Sequence, residues 1–188
     1  MNQNDIVTAV LDFIAADSAN DTAFNELALK LFAYQYDCNG PFMKFARERG
    51  KTPRTVKSWT DIPAVPINAF KTLDLSCSPV TEAKAVFMTS GTTLGGVRGK
   101  SYHPLLNVYD ASMKRNFQNR FMGEFERIKM GILFPSPTLM PNSSLAHYLD
   151  LAVRDFGLGK SRHLMDDNGI NFTSLFEDLA EAEQSGKP

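Results

Sequence analysis

The residue types best suited to chemistry lie together in one glycine- and hydroxyl-rich stretch that ends in a cation and a serine. The stretch is Thr89-Ser90-Gly91-Thr92-Thr93-Leu94-Gly95-Gly96-Val97-Arg98-Gly99-Lys100-Ser101. It directly follows the apolar run Ala85-Val86-Phe87-Met88, which predicts a strand entering a flexible loop. Hydroxyls and glycine amides can surround phosphate oxygens, and a lysine adds a mobile positive charge. The stretch therefore indicates a phosphate-binding loop.

Two other interpretations of the stretch are open. Glycine-rich turns after strands are common, so it also fits a structural turn without a ligand. The run from Leu94 to Ser101 nearly matches the GxxxxGK[ST] phosphate loop of nucleotide triphosphatases, but Leu94 stands where the first glycine is needed. In that motif a helix follows the lysine at once, whereas here Tyr102-His103-Pro104 intervenes.

A different phosphate loop matches the order of residue types better. The run Ser90-Gly91-Thr92-Thr93 resembles the signature loop of adenylate-forming enzymes, in which hydroxyl residues come first and a lysine closes the loop. Leu94 departs from the usual glycine, with Gly95 next to it, and Lys100 lies further along than is common. Arg98 is the alternative source of positive charge.

Two more blocks resemble one branch of that superfamily, the LuxE-like acyl-protein synthetases. The first is Trp59-Thr60-Asp61-Ile62-Pro63-Ala64-Val65-Pro66-Ile67-Asn68-Ala69-Phe70-Lys71, which is similar to the segment before the loop in that branch. The second is Phe134-Pro135-Ser136-Pro137 followed by Asn142-Ser143-Ser144-Leu145. The similar region spans about residues 59–156.

The resemblance implies an ATP-dependent ligase that uses Mg²⁺. A carboxylic acid, with a fatty acid favoured, would attack the α-phosphorus of ATP, and the acyl group would then pass to a thiol of a protein cysteine or of coenzyme A. Lys100 would be the catalytic residue, acting on the departing phosphates. The predicted nucleotide contacts are Thr89, Ser90, Gly91, Thr92, Thr93 and Gly95. No metal ligands are predicted in the chain itself.

The resemblance covers only the first half of such an enzyme, so we expect a truncated chain that is inactive alone. The adenine pocket, the mobile C-terminal domain and the acyl-accepting cysteine would lie downstream, and Cys38 and Cys77 fall in the wrong region to replace that cysteine. A degenerate or non-catalytic nucleotide-binding subunit is the alternative from another class. A phenylacetate-type acyl-CoA ligase is the enzymatic alternative.

Composition excludes several classes of protein. The 188 residues carry 20 basic and 21 acidic side chains, which gives no general attraction to nucleic acid or anionic membranes. No apolar run approaches the length of a membrane span, and the N-terminus does not resemble a signal peptide. Two cysteines without metal-ligand spacing predict free thiols in a reducing cytoplasm. Apolar surface exposed by a truncated sheet favours homodimerisation.

Hydrophobic periodicity predicts an α/β fold. Residues 1–58 read as a helical N-terminal region, with Asn20 or Asp21 capping the second helix. Residues 59–188 read as a partial α/β nucleotide-binding region with a mainly parallel sheet flanked by helices, as in the N-terminal domain of an adenylate-forming enzyme. Ser143 or Ser144 and Asn171 or Thr173 are the predicted starts of later helices. His103 reads as a turn or surface residue and His147 as a helix-face residue.

Overall fold

The fold was derived from a computed structural model that describes residues 2–18, 20–91 and 96–186. The chain divides into two compact units, which we call the N-terminal unit (up to Val108) and the C-terminal unit (from Tyr109). The predicted boundary between residues 1–58 and 59–188 stays a prediction. Among the described helices, none combines the length and apolarity needed to cross a bilayer.

The N-terminal unit begins with three helices that asparagines cap. They are α1 (Gln3–Ala15), α2 (Asp21–Cys38) and α3 (Gly40–Glu48). The Asn20 side chain accepts a hydrogen bond from the Ala23 amide at 2.9 Å, which confirms the predicted cap of α2. Asn39, which is 6% exposed, caps α3 in the same way by accepting from the Phe42 amide.

A small apolar core joins α2 and α3 to the chain that follows them. It consists of Phe32, Phe42, Ala46 and Val56. The rings of Phe32 and Phe42 meet edge to face with centroids 5.9 Å apart. The proline-rich segment after α3 forms single 3₁₀ turns at Trp59–Asp61, Ile67–Lys71 and Val80–Glu82. Prolines in this segment prevent a longer helix there.

Cys38 and Cys77 form a disulfide, so the prediction of two free thiols is wrong. Their Cα atoms are 4.8 Å apart although 39 positions separate them in sequence. The bond joins the last residue of α2 to the segment that leads towards the first strand. Spacing alone could not reveal this pair, because the fold of the intervening segment brings the two residues together.

The predicted strand before the glycine-rich stretch is present as β1 (Ala85–Met88), and the chain returns in β2 (Lys100–His103). The two pair antiparallel, with Ala85 opposite His103 and Met88 opposite Lys100. The glycine-rich stretch is therefore the loop of a hairpin. Antiparallel neighbours can be joined by a short connection, whereas parallel strands need a crossover of a dozen or more residues.

The C-terminal unit packs two helices against short strands. Helix α4 (Asn107–Phe117) ends in a π-helical turn at Gln118–Met122, and α5 is Ser144–Phe156. Ser143 caps α5 by accepting a hydrogen bond from the Ala146 amide, which confirms the prediction. The buried core of this unit contains Met113, Phe117, Met122, Met130, Leu151 and Ala152.

The expected mixture of helices and strands is confirmed, but the expected mainly parallel sheet is not found in the described residues. β3 (Gly131–Ile132) and β4 (Arg162–His163) pair parallel, extended by a bridge between Ile128 and Gly157. β5 (Met165–Asp166) and β6 (Gly169–Ile170) form an antiparallel hairpin. These strands of two residues each form pairs too short to build a wide sheet.

Helix α6 (Phe172–Ser185), capped by Asn171, is held to the strands by ion pairs. Arg162 donates two hydrogen bonds to the Asp178 carboxylate at 3.1 and 3.2 Å. Lys129 contacts Glu181 at 2.8 Å and Asp178 at 3.3 Å, and Lys160 contacts Glu181 at 3.0 Å. Such pairs are individually weak in water, but here they share partners in one network.

We expect acid to weaken the C-terminal unit through this network. The hydrogen bonds from Lys129 and Lys160 lower the pKa of Glu181 below its ordinary 4.5. Burial opposes the same shift at Asp178, but hydrogen bonds from Arg162 and Lys129 still lower its pKa below 3.8. Because both folded-state pKa values are lowered, the stabilisation is present above pH 4.5 and is lost as pH falls through the lowered values.

Urea unfolding followed by far-UV circular dichroism between pH 3 and 7 measures this dependence. The double variant Asp178→Asn, Glu181→Gln should lose part of the acid dependence that the parent chain shows. Glu177→Gln, at an exposed position on the same helix, is the control and should leave the dependence unchanged. Equal acid dependence in the parent and the double variant would contradict the expectation.

Candidate functional site

The candidate site is the loop of the β1–β2 hairpin. Two hydrogen bonds between Thr89 and Gly99 close the base of this loop. The Thr89 amide donates to the Gly99 carbonyl, and the Gly99 amide donates to the Thr89 hydroxyl, both at 3.0 Å. Thr89 is exposed, whereas Gly99 is buried against Phe70. A Cβ at Gly99 would lie 3.3 Å from the Thr89 methyl and 3.4 Å from the Phe70 Cβ, so a side chain there would fit only tightly at the base of the loop.

The Thr89 hydroxyl thus has a structural role. A hydroxyl that accepts one hydrogen bond can still donate its own hydrogen, so this role is compatible with a contact to a phosphate oxygen. Thr89 and Ser90 are exposed at the start of the loop, where a ligand could reach them.

Arg98 crosses the loop at Gly91. The backbone of Gly91 has a φ of +73°, which favours glycine, and a Cβ built there would lie 3.1 Å from Cγ of Arg98 and 3.5 Å from its Nε. Gly91 therefore leaves space that the arginine side chain uses. Gly91 follows Ser90 in the chain, so the arginine side chain reaches the segment that also carries a hydroxyl residue.

Lys100 is exposed at the first position of β2, directly opposite Met88. Both cations therefore lie at the loop end of the hairpin. The Arg98 side chain contacts Gly91, whereas Lys100 is paired with Met88 at the first position of β2. Of the other predicted contacts, Thr92, Thr93 and Gly95 lie outside the described residues, so their predicted roles stay predictions.

The chemistry of the loop fits a polyphosphate. It combines two cationic side chains, hydroxyl donors and glycine amides, and residues 89–101 contain no carboxylate that would repel an anion. Mg²⁺ commonly binds through substrate phosphates with only one or two protein carboxylates. No group of three or more His, Cys, Asp or Glu side chains able to hold a metal occurs in residues 2–18, 20–91 and 96–186.

Each of the histidines has a polar partner within its own unit. Nε2 of His103 is 3.1 Å from the Ser101 hydroxyl, and its ring packs on Phe87 with centroids 4.8 Å apart, at the end of β2 away from the loop. His163 lies 2.9 Å through Nδ1 from the Phe134 carbonyl. We therefore assign neither residue to the loop chemistry.

The sequence did not reveal a partner for His147. Its Nε2 lies 2.7 Å from Oδ1 of Asp110, which joins α5 to α4 within the C-terminal unit, and both side chains are about three-quarters buried. The neighbouring Tyr109 hydroxyl donates to the Ser144 carbonyl at 3.1 Å. Burial raises the pKa of Tyr109, and this hydrogen bond opposes the shift. Since 37 positions separate Asp110 from His147, no local pattern could have indicated the pair.

Comparison with known proteins identifies no relative. No family model matches the chain, and no curated protein or solved structure matches it significantly. The functional interpretation accordingly depends on the residues of the loop and on the resemblance of the motifs.

Proposed function

We propose that this chain supplies the ATP-phosphate loop of an enzyme that activates a carboxylic acid as an acyl-adenylate. The observation that carries the proposal is the start of the hairpin loop, where Thr89 and Ser90 are exposed and the Arg98 side chain packs against Gly91. A hairpin loop of this kind presents hydroxyls, amides and a cation to one ligand. The motif resemblance then selects adenylate formation among reactions that bind ATP phosphates.

In the proposed reaction a carboxylate oxygen forms a bond to the α-phosphorus of ATP. The bond between the α-phosphorus and the oxygen that bridges the α- and β-phosphates breaks. Pyrophosphate leaves with the electron pair of that bond. Both reactants are anionic, so positioned cations and hydrogen-bond donors lower the barrier by stabilising charge on the phosphates. Arg98, Lys100 and the loop hydroxyls would do this, while Mg²⁺, when bound, neutralises further phosphate charge.

The finer parts of the proposal follow from the resemblance. The acid is a fatty acid, and the acyl acceptor is a thiol of a protein cysteine or coenzyme A. The location that we propose, the cytoplasm, comes from the composition of the chain and not from the resemblance. Disulfides in the cytosol are usually transient or redox-sensing, so there the Cys38–Cys77 bond would respond to the redox state. A non-catalytic nucleotide-binding subunit would share the loop chemistry but not the transfer of the adenylyl group.

We expect Arg98→Ala and Lys100→Ala each to weaken binding of Mg²⁺·ATP. A hydrogen bond to a charged group contributes roughly 1.5–3 kcal/mol, which corresponds to a loss of about ten- to a hundredfold in Kd. Isothermal titration of the purified chain measures it. Lys84→Ala is the control, because Lys84 is exposed beside the opposite end of the same hairpin. Equal affinities in all four chains would contradict the proposal.

A second pair of variants tests the position of Arg98. Both Gly91 and Gly96 have positive φ, +73° and +67°, so alanine strains the backbone at either position. Only at Gly91 does the new Cβ meet Arg98, because nothing lies within 4 Å at Gly96. We expect Gly91→Ala to weaken Mg²⁺·ATP binding about tenfold more than Gly96→Ala. Indistinguishable effects would show that Arg98 does not act from its position against Gly91.

A further inference from the structure

The N-terminal unit contains a cavity of about 540 Å³. Cavities that bind small molecules usually measure about 300–1,000 Å³ and are mainly apolar. Apolar side chains from all three helices and from the proline-rich segment line this one, among them Ile6, Leu31, Phe42, Val65, Phe70 and Leu75. Its size and lining are therefore those of a ligand site.

The lining favours an uncharged ligand. Every residue described as lining the cavity is neutral, and its polar members are amides and hydroxyls such as Gln35, Asn39 and Ser76. An ion moved into such a site loses hydration without gaining a partner. The hydrogen bond to Asp74 raises the pKa of Tyr102, so a carboxylate already lies beside this lining residue. That carboxylate would repel an anionic head group.

A second cavity of about 400 Å³ adjoins the first. The two share Phe42, Val65 and Leu75 as wall residues, and the members described for the second are again uncharged. The size and the uncharged, mainly apolar lining of the first cavity suit a long aliphatic chain with an uncharged polar end.

The disulfide forms part of the cavity wall. Cys77 lines the first cavity, and its bond to Cys38 holds residues 75–78 against the end of α2. The hydroxyl of Ser76 donates to the Ser78 carbonyl at 2.7 Å and accepts from the Ser78 amide at 3.2 Å, which makes a tight turn around Cys77. Leu75, a wall residue of both cavities, precedes this turn. Breaking the disulfide would release the segment that carries Leu75.

We propose that this cavity binds an uncharged ligand with a long aliphatic chain, and that reduction of the Cys38–Cys77 disulfide weakens the binding. A dithiol supplies the two electrons: one of its thiolates attacks a cysteine sulfur, and its second thiol then displaces that cysteine. The products are two cysteine thiols and the oxidised, cyclic dithiol. The inference does not rest on the proposed function, because neither the loop nor ATP takes part.

The experiment is displacement of the uncharged fluorophore N-phenyl-1-naphthylamine from the oxidised chain by 1-dodecanol or dodecanoate at pH 8. We expect 1-dodecanol to bind about tenfold more tightly than dodecanoate. Leu75→Trp, which fills the shared wall, should weaken 1-dodecanol binding about tenfold. Ile67→Trp is the matched control, because Ile67 is 73% exposed and does not line either cavity. No displacement, equal binding of the two ligands, or full binding by Leu75→Trp would overturn the site.

Dithiothreitol tests the redox dependence on the same chain. We expect the reduced chain and the Cys38→Ser, Cys77→Ser variant to bind 1-dodecanol about fivefold more weakly, with no further effect of dithiothreitol on the variant. Unchanged binding after reduction would overturn the dependence. So would loss of the far-UV circular dichroism, because the weaker binding would then reflect unfolding. The Leu75→Trp variant keeps the disulfide intact, so its affinity for 1-dodecanol tests the binding site whatever the result of the reduction experiment.

Discussion

Removing the Cys38–Cys77 disulfide is expected to lower the free energy of unfolding of the N-terminal unit by about 4 kcal/mol. The bond closes a loop of 39 positions that contains α3 and two of the 3₁₀ turns. In the loop-closure description, a cross-link of this length stabilises mainly by restricting the unfolded chain. This loss is large compared with the whole free energy of unfolding of a typical domain, which is roughly 5–15 kcal/mol.

Urea unfolding of the Cys38→Ser, Cys77→Ser variant without reductant measures this loss. Trp59 is the single tryptophan of the chain and lies in the N-terminal unit, so its fluorescence reports unfolding of that unit. Dithiothreitol provides the control: it should bring the parent chain to the stability of the variant and leave the variant unchanged. A variant as stable as the oxidised parent would show that the disulfide contributes nothing.

Replacing Gly157 by alanine is expected to cost the C-terminal unit about 3 kcal/mol, near the upper end of the usual range for overpacking. A Cβ there would overlap the carbonyl oxygen of Val153 and lie 2.9 Å from Cβ of Ser161. Hydrogen bonds hold both neighbours in place. The Val153 carbonyl accepts a hydrogen bond from the Gly157 amide. The Ser161 hydroxyl donates to the Leu158 carbonyl and accepts from the Met130 amide.

Gly159→Ala is the matched control for this substitution. Gly159 lies two residues further along the same connection, and nothing lies within 4 Å of a Cβ built there. Urea unfolding followed by far-UV circular dichroism should show a lower transition for Gly157→Ala and little change for Gly159→Ala. Similar stability in the two variants would mean that the connection after α5 relaxes around the added methyl group.

Local elements were predictable where the signal lies within a few residues. Asn20 and Ser143 cap their helices as expected, because an Asn or Ser side chain satisfies an amide of the first turn that has no partner in the helix. The apolar run Ala85–Met88 is a strand, as its composition indicates.

Strand pairing was less predictable. Apolar runs indicate strands but do not specify which strands pair. We expected a mainly parallel sheet, whereas β1 and β2 form an antiparallel hairpin and β3 and β4 form a separate parallel pair. The candidate site shows the same division. Ser90, Gly91 and Lys100 could be selected from the sequence, whereas the packing of Arg98 against Gly91 depends on how the loop returns.

The sequence by itself determined the caps of α2 and α5 and the hydroxyl, glycine and cation content of the loop, because each depends on neighbours in the chain. Only the tertiary structure decided the contacts between distant residues: the Cys38–Cys77 bond, the Asp110–His147 pair and the apolar cavity. These contacts join residues 37 or more positions apart, or side chains from several elements. Their formation depends on packing of the whole unit, which no short pattern encodes.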